Sequence, residues 1–289
     1  MSDVAEESTP QPSTMEPARA CLVTGALLPW TGGPLRSISA FQRALDASVV
    51  SFAQKCDLPH HALALPKSRL HLVACRRLPG FRHFLLPGLN ALHAARQFID
   101  TAEVVSCHSF YNSYPAWMYR VCRQRGLPYW LVPHGILDPY VVERNRLVKT
   151  LYMSVFGRAF LANASAIVFS TRNERDKAAQ SFRLAHPVVI NWPVDIPPDF
   201  DREPARAHLR SRLGIATDSS LLLFLGRLHP MKRPIDTIRL FSAAADQSWH
   251  LLLAGHPDGV SEQECHRAAR HCGVPDRVHI LPGIPGASV

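Results

Sequence analysis

The sequence has no C-x-x-C pair, no G-x-G-x-x-G or G-x-x-x-x-G-K-[ST] loop, and no apolar run near the roughly 20 residues that span a bilayer. These absences set aside a redox dithiol, the common dinucleotide and P-loop signatures, and a membrane-spanning helix. Seven cysteines is an odd number, and the nearest two, Cys265 and Cys272, sit in no zinc pattern. Reduced thiols in a cytosol account for them, most serving as core filler. The first 19 residues lack an apolar segment and are acidic, polar and rich in Pro, Ser and Thr. They do not read as a secretion signal and are expected to form a disordered tail. Acidic residues are scarce where the chain is most basic: residues 21–200 hold 20 Lys and Arg against 10 Asp and Glu, while 201–289 hold 11 against 9. That excess of positive charge suits phosphate-bearing partners, whether nucleic acid, anionic lipid head groups or diphosphates.

What is present is an alternation of strand and helix signals through 289 residues. Strands are expected at 21–25, 49–52, 70–75, 103–107, 128–132, 166–169 and 188–190. Helices are expected at 32–47, 84–99, 113–124, 145–162 and 172–182. A Pro- and Asp-rich stretch follows. A second series then places strands at 221–225, 249–254 and 278–281 and helices at 205–213, 234–245 and 261–271. Such alternation predicts parallel sheets with helices on both faces, an α/β fold. The expected organisation is a tail over 1–19, a Rossmann-like domain over 20–195, a linker over 196–204 and a second domain over 205–289. Three strands are fewer than the five or six of a doubly wound domain, so the second is expected to be incomplete.

Four constellations could carry chemistry. In Val132-Pro133-His134-Gly135 an apolar run breaks into a loop and leaves a histidine at its carboxyl end. Open α/β sheets bind ligands at that edge, and a histidine there can hydrogen-bond or move protons near neutral pH. His108 ends the preceding strand, so neighbouring parallel strands could point both rings into one cleft; two unrelated core or surface histidines are the other reading. Thr31-Gly32-Gly33-Pro34 joins a strand to a helix start, where bare N–H groups favour an anion; a tight turn needing glycine is equally consistent. Gly226-Arg227 follows a buried strand and Lys232 comes just before a helix. Arginine can fork onto two phosphate oxygens and lysine adds a mobile charge, so the pair suits a diphosphate. The 145–162 helix interleaves Arg146, Lys149 and Arg158 with Leu147, Leu151, Tyr152, Val155, Phe156 and Phe160. It can pack on the sheet or rest on anionic lipid.

Taken in order, these pieces resemble the retaining family 4 glycosyltransferases of the GT-B type, in particular bacterial members of exopolysaccharide or lipopolysaccharide assembly. The resemblance rests on Gly32-Gly33-Pro34-Leu35-Arg36-Ser37, the strand ending at His108, Val132 to Pro139 with the helix after it, and Leu225 to Lys232. It implies two Rossmann-like domains facing a cleft, the first for the acceptor and the second for a nucleotide-sugar. It further implies that Gly32 and Gly33 approach the donor phosphates and that His134 is the catalytic residue beside the sugar. His108 is implied on the acceptor side, with Arg227 and Lys232 stabilising the departing nucleoside diphosphate. No metal and no cofactor are implied, since the nucleotide-sugar is the substrate. The product would be a hexose transferred with retention to a polysaccharide or lipid-linked glycan. The setting would be cytoplasmic, peripheral on the inner face of the membrane.

Two departures accompany the resemblance. Asn191-Trp192-Pro193-Val194-Asp195 stands where relatives carry Pro-Asn-Gly-Val-Asp, implying a stiffer linker. The family's Glu-x7-Glu pair falls beyond residue 289, which is expected to impair transfer by this chain. The competing reading is a catalytically inactive module that binds acceptor or membrane. A nucleic-acid binder is less well supported, because no reader motif accompanies the charge.

Overall fold

A computed structural model of the chain describes residues 19–28, 33–56, 65–78, 84–192, 199 and 201–282. It divides into two compact units, 1–194 and 195–289.

Among the described residues, unit 1 is built on an eight-stranded sheet. Its strands are β1 (Ala20–Gly25), β2 (Ser48–Gln54), β3 (Leu70–Arg77), β4 (Leu85–Pro87), β5 (Val104–His108), β6 (Tyr129–Leu131), β7 (Ala166–Phe169) and β8 (Pro187–Val189). The order is β4-β3-β2-β1-β5-β6-β7-β8, parallel except for β3 with β4. Stepping outward both ways from β1 is the doubly wound arrangement, in which the carboxyl edge near β1 and β5 is the place for a ligand. The helices are α1 (Gly33–Leu45), α2 (Leu89–Asp100), α3 (Ser113–Arg125), α4 (Pro139–Glu143), α5 (Arg146–Tyr152), α6 (Arg158–Asn163) and α7 (Arg172–Ala179). Strands buried on both faces carry near-continuous apolar runs, and Leu22, Val23, Val50, Phe52, Val105, Cys107, Leu131 and Ile167 are sealed from solvent.

Three sequence expectations need correction. Residues 84–99 are not one helix: Leu85–Pro87 pairs antiparallel with Arg77–Cys75, and α2 starts only after Gly88. Pro87-Gly88 interrupts the helical pattern, and Leu85 is held in extended form by Asn112 Oδ1, which accepts its N–H at 2.9 Å. The 145–162 helix is likewise interrupted, because a π-helical turn spans Met153–Gly157 between α5 and α6. Arg19, assigned to the tail, is ordered, and its carbonyl accepts the Glu103 N–H at 2.7 Å.

Gly157 shows how close the interrupted helix lies to the core. A Cβ there would come within 3.1 Å of the Phe110 ring and 2.5 Å of Met153 Sδ. Tyr152, Phe156 and Phe160 face inward and pack on one another and on Phe110. Leu147, Leu151 and Val155 point outward and are 86%, 64% and 78% exposed. One apolar stripe of this helix therefore packs inside and another faces solvent.

Unit 2 contains a parallel sheet of β9 (Ser220–Leu225), β10 (Trp249–Gly255) and β11 (Val278–Pro282) in the order β11-β10-β9. Its helices are α8 (Arg202–Leu213), α9 (Pro234–Ala244) and α10 (Glu262–His271). Helix α8 starts inside the expected linker because Asp201 caps it, accepting the Glu203 N–H at 3.1 Å. Helix α10 opens on a reciprocal Ser261–Glu264 capping box. Leu228, Ile238, Phe241, Leu251, Leu253 and Cys265 form the core. β9, expected from its apolar run to be buried, is among the described residues an edge strand, with Leu222, Leu223 and Leu225 exposed. Among the described residues no helix is long and apolar enough to cross a membrane.

Candidate functional site

The carboxyl edge of the first sheet gathers its chemistry where β5 and β6 end. β5 finishes on buried His108, and β6 runs on through Val132, whose N–H bonds to the Cys107 carbonyl at 2.8 Å. The chain then turns sharply. His134 and Gly135 both take left-handed backbone conformations, φ +51° and +78°. The turn closes with the Ile136 N–H on the Pro133 carbonyl and the Asp138 N–H on the Gly135 carbonyl, each at 3.1 Å. Glycine adopts this conformation freely, whereas a histidine at positive φ is uncommon.

What holds the turn is Glu174, in the first turn of α7. One carboxylate oxygen accepts the Gly135 N–H at 2.7 Å. The other accepts the Ser170 N–H at 2.8 Å and the Ser170 hydroxyl at 2.7 Å. Thr171-x-x-Glu174 reads in sequence as a capping pair, and Thr171 Oγ1 does accept the Glu174 N–H. The carboxylate itself reaches across to the loop after the neighbouring strand β6 instead of back to Thr171.

The two histidines meet. His108 Nδ1 lies 3.0 Å from His134 Nε2, and His108 Nε2 lies 3.0 Å from the Ser106 hydroxyl. One proton sits in each contact. If Ser106 donates to His108, His108 donates to His134; if His134 donates, the chain runs the other way to Ser106. Burial lowers the pKa of His108 well below its ordinary value, and the neighbouring His134 pushes it the same way. Burial also brings His134 down to about 4, against the opposing pull of Glu174. Both rings are therefore neutral at pH 7. A neutral imidazole with so low a pKa is a poor proton acceptor in water but a good oriented hydrogen-bonding group. The face of this pair is aromatic. Phe41 of α1 packs edge-on against His108, with ring centroids 5.3 Å apart, and Trp192 lies 5.6 Å from His134 and 5.4 Å from Phe41.

Gly33 opens α1, where the helix end presents its free N–H groups. A Cβ at Gly33 would meet open space, so packing alone does not require glycine there. Gly32 lies outside the described residues.

In unit 2 the loop from β9 to α9 carries Gly226, Arg227 and Lys232. A Cβ on Gly255, at the end of β10, would fall 1.7 Å from the Gly226 carbonyl oxygen. The two backbones touch there, immediately before Arg227. Arg227 Nη1 pairs with Asp258 Oδ2 at 2.5 Å, both side chains about half exposed. Leu228 anchors the loop: it is fully buried, and its carbonyl accepts the N–H groups of Asp258 and Val260 at 3.1 and 3.0 Å. His229 Nδ1 accepts the Met231 N–H at 3.1 Å and starts a short 3-10 turn that ends at exposed Lys232.

The structure thus joins His108 to His134 and puts Arg227 and Lys232 on one loop. Sequence reasoning missed Glu174, Phe41, Trp192 and Asp258. Glu174 was hidden by its capping pattern, and the two aromatics by their distance along the chain.

A family model described as glycosyl transferase 4-like domain matches residues 32–192, and one described as glycosyl transferases group 1 matches 205–288. A D-inositol 3-phosphate glycosyltransferase of Actinosynnema mirum is 25% identical over 273 residues, covering 86% of this chain and 63% of the relative. Its counterpart in Xylanimonas cellulosilytica is 32% identical over 133 residues, covering 43% and 31%. The chain therefore spans under two thirds of the length of these curated relatives. Among solved structures, Anabaena Alr3699/HepE in complex with UDP-glucose aligns with TM-score 0.61 at 17% identity, over 91% of this chain and 69% of that one. WaaG, a glycosyltransferase involved in lipopolysaccharide biosynthesis, aligns at 0.59 and 17%, over 92% and 70%. At such identities the likeness is one of fold, the GT-B glycosyltransferase type.

Proposed function

The chain belongs to the glycosyltransferase 4-like family, and from that premise we propose that it moves a hexose from a nucleotide-sugar to a glycan or lipid-linked acceptor with retention at the anomeric carbon. The observation that carries this reading is the His134 turn, strained in its backbone, locked by Glu174 and hydrogen-bonded through its ring to His108. In this reading His134 is the catalytic residue that touches the sugar. It acts as a neutral, oriented hydrogen-bonding group, which its low pKa favours over general-base catalysis. Arg227 and Lys232 hold the diphosphate and offset its charge as it leaves, an electrostatic contribution that needs no proton transfer. Gly33 opens α1, whose head offers free N–H groups to an anion. His108 supports the acceptor side through its bond to His134.

The acceptor chemistry is read from charge and surface. Leu147, Leu151 and Val155 are exposed on the helix that carries Arg146 and Lys149, an arrangement that suits a peripheral protein on the anionic inner face of a membrane. The assay is incubation of the 289-residue chain with UDP-glucose and a lipid-linked glycan, following UDP release and the anomeric proton of the product by NMR. Transfer is expected to be slow for want of the Glu-x7-Glu pair, and whatever product forms from the α-configured donor is expected to be α-linked. A β-linked product would overturn retention. Acceptor binding without any donor turnover would favour the inactive binding module instead.

A further inference from the structure

Away from the histidine turn, unit 1 holds a cavity of about 760 Å³ beside α5 and α6, a size suited to a small-molecule site. Four cations line it, Arg146, Lys149, Arg158 and Arg183, and among the described residues no carboxylate does. Among the described residues none of the four forms an ion pair. The rest of the wall is largely apolar, with Met153, Leu161, Phe182 and Leu184.

The helix geometry explains how these charges come to share one space. Lining positions on α5 step by three or four from Arg146 through Lys149 to Met153, then jump by five to Arg158 and resume at Leu161. In a continuous α-helix a step of five rotates a side chain about 140° away. The π turn over Met153–Gly157 closes its hydrogen bonds over five residues, absorbs the extra position and keeps Arg158 on the same side. Such turns recur at functional sites. Lys149 is already fixed in place. Its ammonium donates to the Val141 carbonyl and lies 5.1 Å from the Tyr111 ring centroid. Burial, reinforced by nearby Arg144, works against its charge. Several cations gathered against an apolar wall without a counter-charge repel one another, and an anion would relieve that repulsion.

We propose that this cavity binds the phosphate or diphosphate group of an acceptor, with Arg146, Lys149, Arg158 and Arg183 holding the anion and the apolar wall taking the adjoining part of the molecule. The word acceptor rests on the transferase reading; the anion site does not.

The test is calorimetric titration of inorganic pyrophosphate into the full chain at low salt, where charge pairing is least screened. It compares the wild type with Lys149→Gln/Arg158→Gln, with Arg183→Gln on a separate segment, and with the donor-loop variant Arg227→Ala. The double variant should bind roughly tenfold more weakly or worse, as expected on losing charge-assisted hydrogen bonds. Arg183→Gln should weaken binding less, and Arg227→Ala should leave this component in place. A thermal melt confirms that each variant is folded. Absence of binding to the wild type, unchanged affinity in both cavity variants, or loss of all binding in Arg227→Ala alone would overturn the site. A second arm measures co-sedimentation with phosphatidate vesicles and with phosphatidylcholine vesicles. A phosphatidate preference that pyrophosphate competes away identifies a lipid-borne phosphate. Pyrophosphate binding with no vesicle preference identifies a soluble one; both support the site. If the same preparations bind pyrophosphate at the cavity but neither bind UDP nor turn over UDP-glucose, the transferase reading fails and the anion site stands.

Discussion

A single carboxylate, Glu174, satisfies three donors on two loops and so fixes the backbone at His134. Glu174→Ala leaves partly buried N–H groups without an acceptor and should cost about 1–3 kcal/mol of stability, measured by urea denaturation. Transfer should fall further than that loss explains, while nucleoside-diphosphate affinity stays unchanged. A pH dependence follows from the histidines. In the unfolded chain each takes a proton near its ordinary value, whereas in the fold both resist protonation, His134 until about 4. The unfolded state therefore binds more protons as pH falls from about 6.5 toward 4, and stability declines across that window. Denaturation midpoints at pH 7, 6, 5 and 4 should show the decline, and His108→Gln should flatten it. In unit 2, Asp258 competes with any anion for Arg227. Asp258→Asn should tighten nucleoside-diphosphate binding by up to about 1 kcal/mol, as suits a half-exposed pair. Arg227→Ala should weaken it by roughly 1.5–3 kcal/mol. Calorimetry with UDP reads both, and equal affinities in all three proteins would remove Arg227 from the site.

At the scale of elements, much was legible in the sequence, because buried parallel strands spell themselves as apolar runs and end at recognisable breaks. The meeting of His108 and His134 was one of two readings the sequence left open, and it is realised because β5 and β6 are consecutive and parallel. Residues 84–87 misled because their apolar content fits either structure, and the decision came from Asn112, more than twenty residues away. The π turn has no spacing signature of its own in Met153–Gly157; Gly157 alone breaks the helical composition, and it seats against Phe110. Trp192 read as an odd linker residue and is instead part of the aromatic face around His134. The backbone contact between Gly255 and Gly226 gives a prediction at this scale. Gly255→Ala puts a methyl group where the Gly226 carbonyl oxygen lies, so β9 and β10 must separate at their carboxyl ends. Overpacking of this kind typically costs about 1–3 kcal/mol. UDP affinity should drop with Arg227 and Lys232 both intact, and a variant that binds UDP normally would show that the loop tolerates the shift.

For the molecule as a whole, charge is distributed by region: strongly basic over 21–200 and nearly balanced over 201–289. Binding to anionic vesicles should be salt-sensitive and should weaken when Leu147, Leu151 and Val155 are replaced by serine, measured by co-sedimentation at rising ionic strength. Equal binding to neutral and anionic vesicles would rule out the electrostatic part. Among the described residues one flank of β9 is unpaired, and that has a different consequence. Leu222, Leu223 and Leu225 stand exposed on a strand whose neighbour on one side is β10, and an apolar strand edge is a template for pairing with another chain. How the protein behaves in the tube should then depend on how much of it is there: clear and monodisperse when dilute, increasingly turbid as it is concentrated, and calmed by lysine at Leu223 or Leu225 with no change in any ligand it binds.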